Sequence, residues 1–272
     1  MDHDLALRSR TSASVEPLRT LVVYGDFSCP MCYLASQRAD ALATAGVAVQ
    51  WRAVEHRPEL PVNGLRYDGD SSAAAKHALE DARALLRSGE QLPAAAPAMV
   101  PKTEAAISAY AEACGAQVTS EIRRLLFTAY WEGGVDIGNS AVLHTLLAST
   151  FMRGTATSDP IRRFGYAVSV SRGPITSQAW RLIRKWRQDW QALGTPDLPT
   201  LRDGTHAESG ERALRQLAAE VDQAPTPRSA PDSSGLHARV ESGWRPPTTV
   251  CPPATWVSQV GDPWQRAFQM SH

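Results

Sequence analysis

The sequence predicts an α/β fold made of two separated pieces, a β-α-β unit near the N-terminus and a β-β-α unit near residue 200, interrupted by an all-helical insertion. Three observations carry this prediction. Two short apolar runs, 18–27 and 47–56, flank a stretch with helical spacing. Residues from about 71 to 193 are helical in pattern almost throughout. Sheet-like signals then return only at 197–210, and one amphipathic helix follows at 211–221.

"LRTLVVYGDF" (18–27) is rich in Val and Tyr and reads as a buried strand. The next helix carries Tyr33, Leu34, Ala41 and Leu42 as its apolar members, with Gly46 as its stop signal. "VAVQWRAVEH" (47–56) alternates apolar and polar residues, as a second strand does. A strand, a helix and a strand in that order form a crossover unit with parallel strands. The insertion reads as helices over 71–92, 101–116, 119–136, 139–152 and 175–194, punctuated by Pro and Gly. On the last of these, Trp180, Ile183, Trp186, Trp190 and Leu193 recur at three- and four-residue steps and read as core. Asp203-Gly204 is a hairpin-type dipeptide between two short extended pieces. The order β-α-β, helices, β-β-α is a thioredoxin-like arrangement.

The resulting organisation is an N-terminal extension (1–18), a thioredoxin-like domain (19–70 and 194–221), a helical insertion domain (71–193) and a Pro/Ser-rich linker with a Trp-bearing tail (222–272). The extension is polar and reads as frayed or extended. Trp244, Trp256 and Trp264 are too many for a purely solvated tail, so part of it is expected to lie across the body or a partner subunit.

Composition narrows the function. Twenty-eight basic and 28 acidic residues cancel, which argues against nucleic acid as a partner; Arg123-Arg124 and Arg184-Lys185 read as solvated helix faces. The N-terminus has no apolar stretch of the signal-peptide kind, and no apolar run approaches the ~18 residues of a membrane span. Four cysteines in 272 residues are too few for a disulfide framework, so a reducing cytoplasmic compartment is expected.

In such a compartment, "SCPMC" (28–32) is the chemical signal. Its first cysteine, Cys29, falls at a strand-to-helix junction, where unpaired N–H groups and the helix dipole favour a thiolate. Cys32 lies one turn on, placed to attack a mixed disulfide and release the substrate. Pro30 suits an early helical position, where its missing N–H costs nothing. Zinc needs about four ligands, and Cys114 and Cys251 each stand alone, so no metal is expected. Cys114 reads as a small core residue.

These stretches resemble the DsbA-like thioredoxin family, in particular its FrnE-type cytoplasmic dithiol-disulfide oxidoreductases. "DFSCPMCYL", "WRAVEHRPELP", "LLFTAYWEGGVDIGNSAVL" and "LPTLRDG" carry the resemblance, which spans residues 19–221. It implies Cys29 as nucleophile, Cys32 as resolving cysteine, and a cis-proline facing them just before a strand. Pro199 fits that place because "TLRDG" follows it directly, with Pro196 as the competitor; Leu198 and Thr200 flank it in the supporting segment. Met31 stands where the branch usually has Trp or His and supplies no charge or donor, which implies a milder oxidant. Thr103 is what "KTEAAI" keeps of the branch's Asn-Thr-Arg pattern. The stretch 153–175 resembles no part of the branch.

A related branch holds kappa-class glutathione transferases and 2-hydroxychromene-2-carboxylate isomerases, which carry Ser at the position of Cys29 and bind glutathione. Two cysteines here favour dithiol chemistry. The expectation is therefore a thiol-disulfide oxidoreductase acting on protein or low-molecular-weight thiols, without a bound cofactor, with glutathione as the co-substrate of the runner-up. A homodimer is left open, and a non-enzymatic scaffold built on the helical block and the tail is the third reading.

Overall fold

A computed structural model describes residues 19–156 and 158–225. The extension 1–18 and the tail with Cys251, Trp244, Trp256 and Trp264 lie outside the described residues, and with them the expectation of a tail lying across the body.

Strand β1 (Thr20–Gly25), helix α1 (Pro30–Thr44) and strand β2 (Ala48–Ala53) form the first unit. β1 and β2 are parallel, in register from Thr20 opposite Ala48 to Gly25 opposite Ala53. β1 is buried from Leu21 to Gly25, as expected of a strand covered on both faces. Strands β5 (Thr200–Asp203) and β6 (His206–Ser209) form a hairpin that adds antiparallel to β1, giving the sheet order β2-β1-β5-β6. The turn has two residues, and the first, Gly204, has φ 57°, a left-handed value that favours glycine in a II′-type hairpin. Helix α8 (Gly210–Gln223) closes the chain's described part by packing on α1 and β5.

Between these units lie α2 (Gly69–Arg83), α3 (Glu104–Ala116), α4 (Thr119–Trp131), α5 (Ser140–Arg153), α6 (Asp159–Phe164) and α7 (Ser177–Gln191). Side chains on β2 alternate between two faces. Trp51 meets Phe127 of α4 edge-on at 5.7 Å, while Arg52 reaches Asp189 of α7 at 2.6 Å on the other side. α3 and α7 pack on each other and both touch β2, so one apolar core runs from Leu21 through Ile107, Phe127 and Trp186 to Leu217.

Buried charges bind the helices together. The guanidinium of Arg38 on α1, 2% exposed, pairs with Glu90 through Nε and Nη2 at 2.7 and 2.8 Å. It also donates to the carbonyls of Leu214 on α8 and Leu85, which follows α2, at 2.7 and 2.6 Å. Buried Glu112 of α3 accepts from the backbone N–H groups of Ile175 and Thr176 and from the Thr176 hydroxyl, satisfying donors at the start of α7.

Several local expectations are revised. The helix expected over 71–92 runs from Gly69 to Arg83, capped at its start by reciprocal bonds between Asp68 and Ser71. Two two-residue strands, β3 (Leu65–Arg66) and β4 (Met99–Val100), pair antiparallel where no sheet was expected. The unassigned stretch 153–175 contains α6. Arg123 does not lie on a solvated face: it is 5% exposed, ion-paired with Asp40 at 2.5 Å, with its guanidinium over Trp51. Of the tryptophan stripe, Trp186 and Trp190 are buried, but Trp180 is 55% exposed and Ile183 and Leu193 are half-buried.

Candidate active site

β1 stops at Gly25, and the turn Asp26-Phe27-Ser28 delivers Cys29 to the N-cap of α1, with Pro30 as the first helical residue. The N-cap backbone is extended (φ −95°, ψ 124°), and the Cys29 side chain makes no capping bond. Cys29 is half-buried and Cys32 is fully buried; both are free thiols. The Cys29 sulfur lies 3.9 Å from the carbonyl oxygen of Leu198. The Leu198–Pro199 peptide is cis, so of the two prolines it is Pro199 that carries the cis bond opposite the cysteines.

That facing segment is fixed from behind. The Pro199 carbonyl accepts from Gly210 N–H at 2.8 Å, and the buried Thr200 hydroxyl donates to the Asp197 carbonyl at 2.9 Å. Leu198 and Pro199 are buried, while Pro30 and Met31 are half-buried. Met31 packs against the main core.

Burial pushes the Cys32 thiol well above its ordinary range, and the hydrogen bond and charge interaction with Cys29 add to this. A backbone hydrogen bond at Asp26 opposes the shift, and the Asp26 carboxylate reinforces it. Cys32 is thus a protected thiol, about one helical turn from the accessible one.

Three residues outside the motif hold the turn, and the sequence reading did not identify them as part of the site. Asp26, 1% exposed, accepts from Ser28 N–H and hydroxyl through Oδ1, at 2.9 and 3.0 Å. Its Oδ2 accepts from His56 N–H at 2.7 Å and from the Thr103 hydroxyl at 3.2 Å. Thr103, the N-cap of α3, therefore acts on the turn from inside the protein. Trp131, the last residue of α4, donates its indole N–H to the Phe27 carbonyl at 3.0 Å. One signal was available: Asp26 is a lone carboxylate at the end of an apolar run, directly before the cysteines.

A groove of about 390 Å³ opens beside Cys29. Ser28, Cys29, Pro30 and Trp131 form one part of its lining, and Ala74, Ala75 and Ala78 of α2 another. His56, Arg57, Leu65, Tyr67 and Val100 complete most of the rest, and none of these wall residues was anticipated. Met31, Leu198, Pro199 and Thr200 do not line it. Among the described residues no group of three or more His, Cys, Asp or Glu side chains could hold a metal ion, and no helix is long and apolar enough to cross a membrane.

Three known structures share the fold at low sequence identity. A protein of Streptomyces coelicolor described as a "probable DsbA oxidoreductase" superposes with TM-score 0.55 at 15% identity, covering 79% of this chain and 94% of that one. The cytosolic disulfide reductase DsbM of Pseudomonas aeruginosa gives 0.52 at 16% identity, covering 75% and 96%. A 2-hydroxychromene-2-carboxylate isomerase gives 0.50 at 18% identity, covering 75% and 95%. No curated protein sequence matches the chain. A model of the DSBA-like thioredoxin domain matches residues 20–161, just over half of the chain, and the protein belongs to that family.

Proposed function

We propose that the protein is a thiol-disulfide oxidoreductase that works through Cys29 and Cys32. The observation that carries the reading is the asymmetry of the pair: an accessible sulfur on a helix N-cap, and a fully buried one behind it.

In the reducing direction, the Cys29 thiolate attacks one sulfur of a substrate disulfide. The Cys29–substrate bond forms, the substrate S–S bond breaks, and the departing thiolate takes a proton. Cys32 then loses its proton and attacks the Cys29 sulfur, forming the Cys29–Cys32 disulfide and releasing the second substrate thiol. The substrate gains two electrons and two protons, and the dithiol loses them; the reverse sequence oxidises a dithiol substrate. The Leu198 carbonyl beside Cys29 bounds the line along which a substrate sulfur approaches.

Cys29→Ser is expected to abolish reduction of bis(2-hydroxyethyl) disulfide, and Cys32→Ser to accumulate mixed disulfides at Cys29. Failure of Cys29 in the reduced protein to alkylate at neutral pH would end this reading. Turnover that survives Cys32→Ser and saturates with glutathione would instead identify a transferase or isomerase. The reduction potential of the pair sets the direction of exchange. Four cysteines in 272 residues fit a reducing compartment, so the proposal includes a cytoplasmic location, tested by cell fractionation.

A further inference from the structure

The groove beside Cys29 has a one-sided electrostatic character. Among its lining side chains, Arg57 is charged and none is a carboxylate. Asp26, which lies behind Ser28 of the wall, is buried and holds four hydrogen bonds, so it is closed off from an incoming molecule. Asp68 and Glu59 bond to Ser71 and Arg57 of the wall without lining the groove themselves. Leu65, Val100 and the three alanines of α2 supply an apolar wall, and the volume lies in the range of small-molecule sites.

Arg57 is only loosely committed elsewhere. Its Nε donates to Glu59 at 3.2 Å, with the side chains 44% and 67% exposed, the geometry of a weak surface ion pair. Its two terminal nitrogens have no hydrogen-bond partner among the described residues. Its charge acts on the phenol of Tyr67 in the groove wall, so the guanidinium lies within electrostatic reach of the cavity. A guanidinium fork matches a carboxylate in two parallel hydrogen bonds, and an ammonium does not.

We propose that Arg57 makes this groove selective for small thiols and disulfides that carry a carboxylate. The proposal rests on the oxidoreductase reading for its chemistry, with Cys29 in the same wall as the reacting atom. The carboxylate is held by Arg57, the carbon skeleton lies on the alanine face of α2, and the sulfur is presented to Cys29. Arg57 is a specificity-determining residue here and takes no part in bond making.

The test uses binding of an unreactive probe, so that it does not depend on turnover. S-methylglutathione and its neutral-carboxyl dimethyl ester are titrated into the full chain and into Arg57→Gln and Arg57→Glu variants. The wild type is expected to bind the free acid at least about tenfold more tightly than the ester, and Arg57→Glu to erase or invert that preference. Equal binding of acid and ester by the wild type, or an unchanged preference in Arg57→Glu, overturns the proposal. Arg57 is exposed, so both variants should keep the fold, with urea unfolding midpoints close to wild type. Unfolding of both variants would show that Arg57 holds the fold rather than a ligand and would also overturn it. Reduction of neutral bis(2-hydroxyethyl) disulfide by the wild type is measured alongside. Absence of neutral activity in the wild type would sink the oxidoreductase reading while the binding preference stood on its own.

Discussion

Release of the second thiol in a two-step exchange should be the pH-sensitive event of this protein. Cys32 has no exposed surface, and burial is the largest cause of its raised pKa. For a thiol above 9, the thiolate fraction at pH 7 is below ~1%, and each unit of pH raises it about tenfold. Once Cys29 is tied up in a mixed disulfide, its contribution to the shift disappears, but burial remains. The rate of the second step should therefore rise with a slope near one in log rate against pH, and continue rising beyond pH 9. The assay is stopped-flow release of the coloured thiol from 5,5′-dithiobis(2-nitrobenzoate), in a background with Cys114 and Cys251 replaced by Ala. The first equivalent reports attack by Cys29 and the second attack by Cys32; Cys32→Ser should release one only. Asp26→Asn removes a negative charge that opposes the Cys32 thiolate, and should move the second-step curve to lower pH. A second phase that levels off at or below about pH 8.5 would refute the assignment of Cys32 as a buried, proton-retaining resolver.

The same ionisation should appear in stability. The unfolded chain loses the Cys32 proton at an ordinary thiol pKa while the folded chain keeps it, so stability falls as pH rises above about 9, and Cys32→Ala should flatten that limb in urea titrations. Arg38→Met breaks a buried ion pair and strands Glu90, which should cost about 3–5 kcal/mol by chemical denaturation, and a loss under about 1 kcal/mol would contradict the clamp described above. Gly25→Ala would place a methyl 2.3 Å from the Trp51 ring and 3.3 Å from the Cys32 sulfur, so it should destabilise by about 1–3 kcal/mol and disturb the second exchange step; wild-type behaviour in both would show that the strand end is looser than drawn. Trp186→Ala should cost about 3–5 kcal/mol and Trp180→Ser under about 0.5 kcal/mol, an ordering that thermal melts can reverse if the stripe is misread.

What could be read from the sequence was whatever local spacing determines. A strand, Cys-Pro-Met-Cys, a helix and a second strand follow one another within 36 residues, from 18 to 53, and Pro199 was marked by the strand and turn directly behind it. The tryptophan stripe erred for a geometric reason. Steps of three residues drift by about 60° each on a helix, so Trp180 sits about 120° round from Trp186. Exposure falls along that arc, from Trp180 at 55% through half-buried Ile183 to Trp186 at 3%. The supports of the turn were hidden because they arrive from far along the chain, Thr103 from 77 residues and Trp131 from 104 residues away in sequence. β3 and β4 are too short to show any period, and the alanines that line the groove looked like ordinary helix formers. Arg123 carried no mark separating it from Arg124, since only the position of Trp51 and Asp40 makes it a buried cation.

The contact between the Cys29 sulfur and the Leu198 carbonyl joins residues 169 positions apart. During synthesis at about 5–20 residues per second, the dithiol therefore leaves the ribosome roughly 10–30 s before its facing segment exists. Through that interval β1 also lacks its neighbour β5, and Cys29 lacks the Leu198 carbonyl that later lies beside it. A chain truncated anywhere before β5 would display the complete Cys-Pro-Met-Cys motif on an open sheet edge. It is the helical block, by delaying the last strands, that sets how long each new copy spends without the segment that faces Cys29.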